Sequence, residues 1–397
     1  MPLPPSSPRP RWSAVIAVAL LVGTLWPTPG APQPLERFCI ICGALGGLDF
    51  VANVVVFVPL GMTLVRDGYR DRFAWLTGLG LSLAIELLQW RLVPGRDASA
   101  GDLISNTLGT WVGWTLAVHR ASLWRPARGM AQRLLGAWCL MATVVGAVAA
   151  WSLRAAAPEY VYFAQWTPVR GGYAPLTGEF RGLRLYGERL PNATPVDPTN
   201  RPAAYARGEL DLEGIVAGPD LVESRPKLLA RLGNPLGEQA QLVQRGDALV
   251  FRGRRNASRL GLRSPTFVLD GAWSPQGETS FHVRSASRAV ELTAGRSATI
   301  SVTVGRFWQT LAPFEVQYSQ PEPLMGALFL LGLLLPAGFY GRRAAMKASL
   351  AVPCSLGVVV LGAIPLLAGI TPGGWPEIIG AMVGTLGGHA LGATGDK

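Results

Sequence analysis

Residues 48–65 read LDFVANVVVFVPLGMTLV. An α-helix needs roughly 20 apolar residues, within a range of about 17–25, to cross a bilayer, and this run is long and apolar enough to do so. It is not uniformly apolar. Asp49 and Asn53 stand four residues apart, on one face of the helix and near its start. An ionisable side chain within a span costs about 2.5–3.5 kcal/mol on insertion scales, so it points to function before it points to packing. The stretch is therefore expected to be a membrane helix with a polar face at one end. An apolar lead-in, Phe38 to Leu45, precedes it, and Gly46-Gly47 is expected to separate that lead-in from the helix proper.

Seven further runs of this kind flank it, at about 12–27, 73–90, 102–118, 134–152, 324–341, 348–369 and 377–393. Together they predict a membrane α-helical bundle of about eight transmembrane helices. The chain is 49% hydrophobic and only 15% charged, where ordinary soluble chains are about 25% charged. The shortage of charge is confined to the apolar regions. The expected organisation is a cytoplasmic N-terminus over 1–11, five helices over 12–152, a water-soluble domain over 153–322 and three helices over 323–393. Trp12 to Trp26 resembles a signal peptide, but the run ends in Trp26-Pro27-Thr28-Pro29-Gly30 without a small-x-small cleavage site, so it reads as an uncleaved first span.

The net charge of +11 raises nucleic acid or anionic lipid as a partner. Much of the Lys and Arg lies in short loops between apolar runs, and no basic run is interleaved with aromatics, so membrane lipid is expected and nucleic acid is not. Loop charge also sets orientation. With the N-terminus inside, the inner segments hold Arg9, Arg11, Arg66, Arg70, Arg72, Arg120, Arg125, Arg128, Arg133, Arg342, Arg343, Lys347 and Lys397, against Arg37, Arg91 and Arg96 in the short outer loops. That asymmetry predicts both termini in the cytoplasm and residues 153–322 outside. Cys39, Cys42, Cys139 and Cys354 all fall in or beside apolar runs. The soluble domain thus has no disulfide scaffold, and the Cys39–Cys42 spacing reads as packing rather than redox chemistry. His119, His282 and His389 show no metal-ligand spacing, and no cofactor is expected.

The polar residues inside the apolar runs carry the functional reading. Asp49 and Asn53 are followed by Ser82, Glu86 and Gln89 on one face of the next helix, and by Asp102 and Asn106, again four apart, on the one after. The charge-derived orientation puts all of them at the outer ends of their helices. Arg91, Arg96 and Asp97 lie in the intervening loop and can neutralise Glu86 or Asp102, or hold an anionic headgroup. Asp49 and Asp102 also suit helix N-termini as caps, and the asparagines suit interhelical hydrogen bonds. Glu86 and Gln89 sit where a helix C-terminus repels a carboxylate, so a capping role does not account for Glu86.

This ordered pattern resembles VanZ-like membrane proteins over about 48–118. The residues that carry it are Asp49-Phe50-Val51-Ala52-Asn53, Phe57-Val58-Pro59-Leu60-Gly61, Ser82 through Gln89, Arg96-Asp97, and Asp102 through Gly109. The resemblance implies a role in the bacterial cell envelope, in the cytoplasmic membrane, and a link to resistance to the glycopeptide teicoplanin. It implies no particular reaction.

A worn second copy is suggested over 324–393. Pro59-Leu60-Gly61 followed by Arg66 is matched by Pro336-Ala337-Gly338 followed by Arg343. Asp102-Leu103-Ile104 with Gly109, Thr110 and Gly113 is matched by Glu377-Ile378-Ile379 with Gly384, Thr385 and Gly388; the Pro-to-acid separation is 43 residues in one and 41 in the other. Counterparts of Asp49, Asn53, Glu86, Gln89 and Asn106 are missing, so the second copy reads as scaffold. Chance likeness between Gly-rich apolar segments is the alternative.

Between about 155 and 320 the sequence alternates apolar and polar residues at period two, as in Glu209–Val216, Asp247–Arg252, Thr266–Asp270, Thr279–Arg284 and Ala298–Val304. Short strands separated by turn residues predict an all-β sandwich or barrel. Their order resembles the concanavalin A-like, laminin-G-type jelly roll over 208–318, a fold that implies glycan or protein binding, sometimes through calcium. Asp211, Asp220, Asp247 and Asp270 are scattered and assign no calcium site, while Trp166, Trp273 and Trp308 are expected to pack in the core or at its rim.

These readings point to an envelope protein that binds a lipid headgroup or lipid-linked glycan precursor at the cluster Asp49, Asn53, Ser82, Glu86, Gln89, Arg96, Asp97, Asp102 and Asn106, with a glycan- or protein-binding domain outside. Two alternatives stay open. One is an enzyme acting on a lipid-linked phosphate, with Glu86 as acid or base and Arg96 on the phosphate. No nucleophile or metal motif supports it, and a non-catalytic role is favoured. The other is a transporter, disfavoured because the polar groups lie at helix ends rather than at the midplane.

Overall fold

The computed structural model describes residues 11–25, 40–41, 43–71, 73–92, 99–219, 221, 225–274, 277–312, 322–345 and 349–394. Arg96, Asp97, Cys39, Cys42 and Asp220, together with Phe38 of the apolar lead-in and the first ten residues, lie outside this set. The chain divides into two compact units, residues 1–126 and 127–397.

The first unit is helical: α1 (Trp12–Leu25), α2 (Gly46–Arg66), α3 (Leu76–Leu92), α4 (Ala100–Val118) and the short α5 (Arg120–Trp124). Gly46 and Gly47 form the buried first turn of α2, where a side chain on Gly46 would meet the Ile41 backbone, and the described lead-in residues before them are not helical. Leu20 of α1 packs with Phe57, Leu60 and Leu64 of α2 and Ile85 of α3.

Helices α2 and α4 run parallel at unusually short range. A Cβ on Gly109 would lie 2.3 Å from the Val54 carbonyl oxygen, one on Gly113 would lie 2.0 Å from that of Val58, and one on Gly61 would lie 2.0 Å from that of Thr110. Only glycine allows this approach, the small-residue packing that joins helices where the hydrophobic effect gives no drive.

The second unit opens on α6 (Arg128–Ser152), which leads into twelve strands. These are β1 (Tyr162–Trp166), β2 (Glu179–Leu185), β3 (Glu188–Leu190), β4 (Pro195–Val196), β5 (Leu210–Ala217), β6 (Lys227–Asn234), β7 (Gly237–Arg245), β8 (Ala248–Gly253), β9 (Phe267–Leu269), β10 (Glu278–Ser285), β11 (Ala289–Thr293) and β12 (Ser297–Ser301), with the short helix α7 (Ala203–Ala206) between β4 and β5. They form two six-stranded sheets, ordered β4-β1-β6-β7-β8-β9 and β12-β11-β10-β5-β2-β3, with every ladder antiparallel. Trp166 of one sheet meets Phe180 of the other edge to face, and Phe180 stacks on Phe281. The domain is thus a two-sheet β-sandwich.

The chain then passes through α8 (Phe307–Leu311), α9 (Glu322–Arg343) and α10 (Ala351–Val358). A π-helical turn, Val359–Ala363, continues α10 into α11 (Ile364–Ala368), and α12 (Trp375–Ala393) follows. Helices α9 and α12 repeat the close parallel contact. A Cβ on Gly384 would lie 2.5 Å from the Leu331 carbonyl oxygen, one on Gly388 would lie 2.0 Å from that of Leu335, and one on Gly338 would lie 2.1 Å from that of Thr385.

Each of the eight apolar runs contains a helix among the described residues, but a count of about eight transmembrane helices is not supported. Among the described residues, four helical segments can cross a membrane by length and composition: Gly46–Arg66, Arg128–Ser152, Glu322–Arg343 and Ala351–Ala368. At 1.5 Å per residue, the 14 residues of α1 and 17 of α3 make short helices. The 19-residue helices α4 and α12 are long enough but are diluted by Gly, Thr and polar residues.

The strand readings from Glu209 onward coincide with β5, β8, β9, β10 and β12, and the sandwich also includes β6, β7 and β11 and, ahead of residue 208, β1 to β4. The 208–318 boundary therefore cuts through both sheets. Strand β7 hid its environment from the sequence. Gln239, Gln241 and Gln244 are buried there, with amide nitrogens that donate to Ala156 O, the Tyr173 hydroxyl and Gly246 O. Of the three tryptophans, Trp273 is buried and its ring nitrogen donates to Ala248 O, while Trp166 and Trp308 are half-buried.

Candidate functional site

The polar face of the first unit is built where the first turn of α4 meets α2 and α3. Ser99 caps α4 by accepting from Asp102 N at 3.3 Å, and its own backbone N–H donates to Glu86 Oε2 at 2.8 Å. Glu86 lies in the second-last turn of α3, so its carboxylate faces the positive end of α4 and the repulsion from its own helix end is offset. Asn53 of α2 donates to Asp102 Oδ1 at 2.8 Å, and Asn106 donates to Ser82 Oγ at 2.9 Å. The Asn106 side-chain oxygen is buried without a partner among the described residues. Ser82, Glu86 and Asn106 are 0%, 5% and 3% exposed while Asn53 and Asp102 are half-buried, so the seam is closed within and open at its rim.

Five of the residues singled out in the sequence therefore meet: Asn53, Ser82, Glu86, Asp102 and Asn106. Gln89 does not join them; it is buried but donates to Thr24 O of α1 at 2.9 Å. Asp49 is exposed one turn before Asn53. Arg96 and Asp97 fall outside the described residues. Ser99 was missed, although Ser99-x-x-Asp102 ahead of an apolar run is a capping pattern that could have revealed it. Beside the seam, α3 and α4 border a shallow, open apolar concavity of about 430 Å³ whose lining includes Trp75, Leu79, Leu103, Ile104, Thr107 and Trp111.

In the second unit, Glu377 occupies the first turn of α12. Its carboxylate accepts from Gly374 N at 2.8 Å and from the Thr303 hydroxyl. Thr303 belongs to the β domain, and so does Arg306, which pairs with Glu322 at the start of α9. Burial lowers the Arg306 pKa. Arg255 is fully buried below, donating to Leu153 O and Ala286 O, and burial takes its pKa down to about 9. Phe267 has both guanidinium groups 5.3 Å from its ring centre. These contacts dock the sandwich on its helices. The sequence had matched Glu377 to Asp102, but nothing in it showed what Glu377 would touch.

The fold and this seam define a membrane protein: apolar helices joined by glycine contacts, with a two-sheet β domain carried by the second unit. Residues 15–124, the greater part of the first unit, match the family model described as VanZ/LLP1. No curated protein and no solved structure matches the chain.

Proposed function

We propose that the first unit binds a polar lipid headgroup, or the headgroup of a lipid-linked glycan precursor, at the seam formed by Asn53, Ser82, Glu86, Asp102 and Asn106. The observation that carries this reading is the convergence of five polar side chains from three helices in an apolar setting, with one buried acceptor, Asn106 Oδ1, unused. Buried polar atoms are nearly always satisfied, so a spare acceptor suits a donor from outside the chain. The concavity along α3 and α4 gives an acyl or isoprenoid chain a place beside the headgroup. Loop charge favours the extracytoplasmic leaflet for this seam, with both chain termini in the cytoplasm. We read the β domain as an extracytoplasmic module for glycan or protein, and the second glycine-packed pair as a scaffold copy of the first.

The test is headgroup binding by the full chain in nanodiscs, comparing wild type with Glu86→Gln and Glu86→Ala. A hydrogen bond to a charged group contributes about 1.5–3 kcal/mol, so a loss of roughly 10–100-fold is expected in both variants. Glu86→Gln retains an oxygen for Ser99 N and should stay folded. Unchanged binding in Glu86→Gln removes the carboxylate from the site. The VanZ-like resemblance extends the proposal to glycopeptides, and the same variants should lose any teicoplanin tolerance that the wild type confers on a sensitive host.

A further inference from the structure

We propose that Asp211, Glu213 and His282 form a binding site for a divalent first-row transition metal ion, for which Zn²⁺ is the fitting probe, on the outward face of the second sheet. Asp211 and Glu213 are two apart on β5 and so project from the same face. Strand β10 pairs antiparallel with β5, setting His282 directly opposite Glu213 and Arg284 opposite Asp211. Sequence spacing could not show this, because the histidine lies 71 residues from Asp211 and only the ladder joins them.

The same geometry that forms an ion pair without metal can also take an ion. One ligand atom from each residue lies within 4.8 Å of the others. His282 Nε2 is 2.7 Å from Asp211 Oδ1 and 3.8 Å from Glu213 Oε1. Ligands about 2.0–2.2 Å from a tetrahedral Zn²⁺ stand roughly 3.3 Å apart, between those two separations. A hydrogen bond from Nε2 accounts for the shorter contact only; the longer one exceeds hydrogen-bond range. The other Asp211 oxygen accepts from Arg284 Nε at 3.2 Å, which turns Oδ1 toward the histidine as an outer-shell partner would.

Three protein ligands leave a tetrahedral ion one open position. Here Glu213 and His282 border a concavity of about 580 Å³, shared with Arg181, Arg184, Arg189 and Ser280, with room for water or an anionic group on the ion. An imidazole with two carboxylates suits Zn²⁺ or Mn²⁺, whereas Ca²⁺ takes six to eight oxygen ligands. Two carboxylates supply negative charge to the ion, one of them shared with Arg284, and both ligand strands lie in the interior of their sheet, which limits rearrangement on binding.

The experiment is Zn²⁺ titration of the full, untagged chain in detergent after chelator treatment, with Co²⁺ absorption as a readout of tetrahedral ligation. One Zn²⁺ per chain is expected, weakened at least tenfold in His282→Ala and in Glu213→Gln. Arg284→Ala should weaken binding by about 10–100-fold without abolishing it. Thermal unfolding without metal checks that each variant is folded. Failure of Zn²⁺ to bind, or binding that is indifferent to His282→Ala and so belongs to the cysteines or the other histidines, overturns the proposal.

Discussion

The pair α2/α4 and the pair α9/α12 share their backbone contacts and differ in their polar ones. Val54 and Val58 against Gly109 and Gly113 correspond to Leu331 and Leu335 against Gly384 and Gly388, at constant offsets of 277 residues for the first helix and 275 for the second. Gly61 meets Thr110 O and Trp114 N; Gly338 meets Thr385 O and His389 N, at the same offsets. Pro59 and Pro336 obey them too. At the head of the second helix the likeness stops. Asp102 turns to Asn53 across the pair, whereas Leu330 stands in Asn53's place, and Glu377 turns to Thr303 of the β domain. Glycine contacts set where the two backbones lie, and the acid at the helix head is then free to take a different partner.

The strongest way to break this comparison is to fill the contacts. Gly113→Leu and Gly388→Leu each place a side chain where a carbonyl oxygen stands 2.0 Å from the first added carbon. Overpacking ordinarily costs about 1–3 kcal/mol, and here the obstacle is backbone, so a loss at or above the top of that range is expected in thermal unfolding of both variants. Gly387→Leu, at a position with nothing within 4 Å, is the matched control and should be tolerated. If Gly388→Leu behaves like Gly387→Leu, the two pairs are not packed alike.

The next effect separates the acids. Glu377→Ala removes a buried acceptor from Thr303 and from the start of α12, so a loss of about 1–3 kcal/mol is expected. It should appear as faster amide exchange over residues 297–311 of the β domain. Asp102→Ala should instead speed exchange at the starts of α2 and α4. If Glu377→Ala leaves the β-domain amides unchanged, the contrast between the two acids is lost.

What was legible in the sequence follows from the range of each interaction. The apolar runs, the four-residue spacing of Asp102 and Asn106, and the strands of clean alternation such as β10 are local patterns, and the structure places them as helices and strands. The Pro and Gly correspondence was also visible in the sequence, though its contacts were not. Span counting failed where length and hydropathy conflict, in α4 and α12, because glycines that serve helix contact dilute the apolar signal. The burial of Gln239 and Gln241 in β7 was not legible because their partners, Ala156 and Tyr173, come from a segment more than 60 residues away. His282 remained isolated for the same reason. Of the proposed polar site, the membership of Glu86 was readable and its bond to Ser99 was not.

The smallest expected effect extends the comparison to the helix before each pair. Helix α1 is tied at its start to the end of α2, where Asp67 Oδ2 accepts from Ser13 N at 2.8 Å and Ser13 Oγ at 2.6 Å. Helix α6 is tied at its start to the end of α9, where Arg128 Nε donates to Ala344 O at 3.2 Å. Asp67 and Ala344 again differ by 277, so the β domain stands in the second unit where the α1–α2 connection stands in the first. Only one of these ties titrates. The Ser13 hydroxyl, and then its backbone N–H, hold the Asp67 carboxyl below its ordinary range. The tie's contribution is therefore complete above the ordinary carboxylate pKa, about 3.9, and is lost as pH falls through the lower folded value. The acceptor in the α6 tie is a neutral backbone carbonyl rather than a carboxylate. Amide exchange followed from pH 5 downward should show the start of α1 loosening while the start of α6 holds, and Asp67→Asn should loosen α1 at every pH. Equal loosening of both helices in acid would mean that the two anchors are not the separate contacts described.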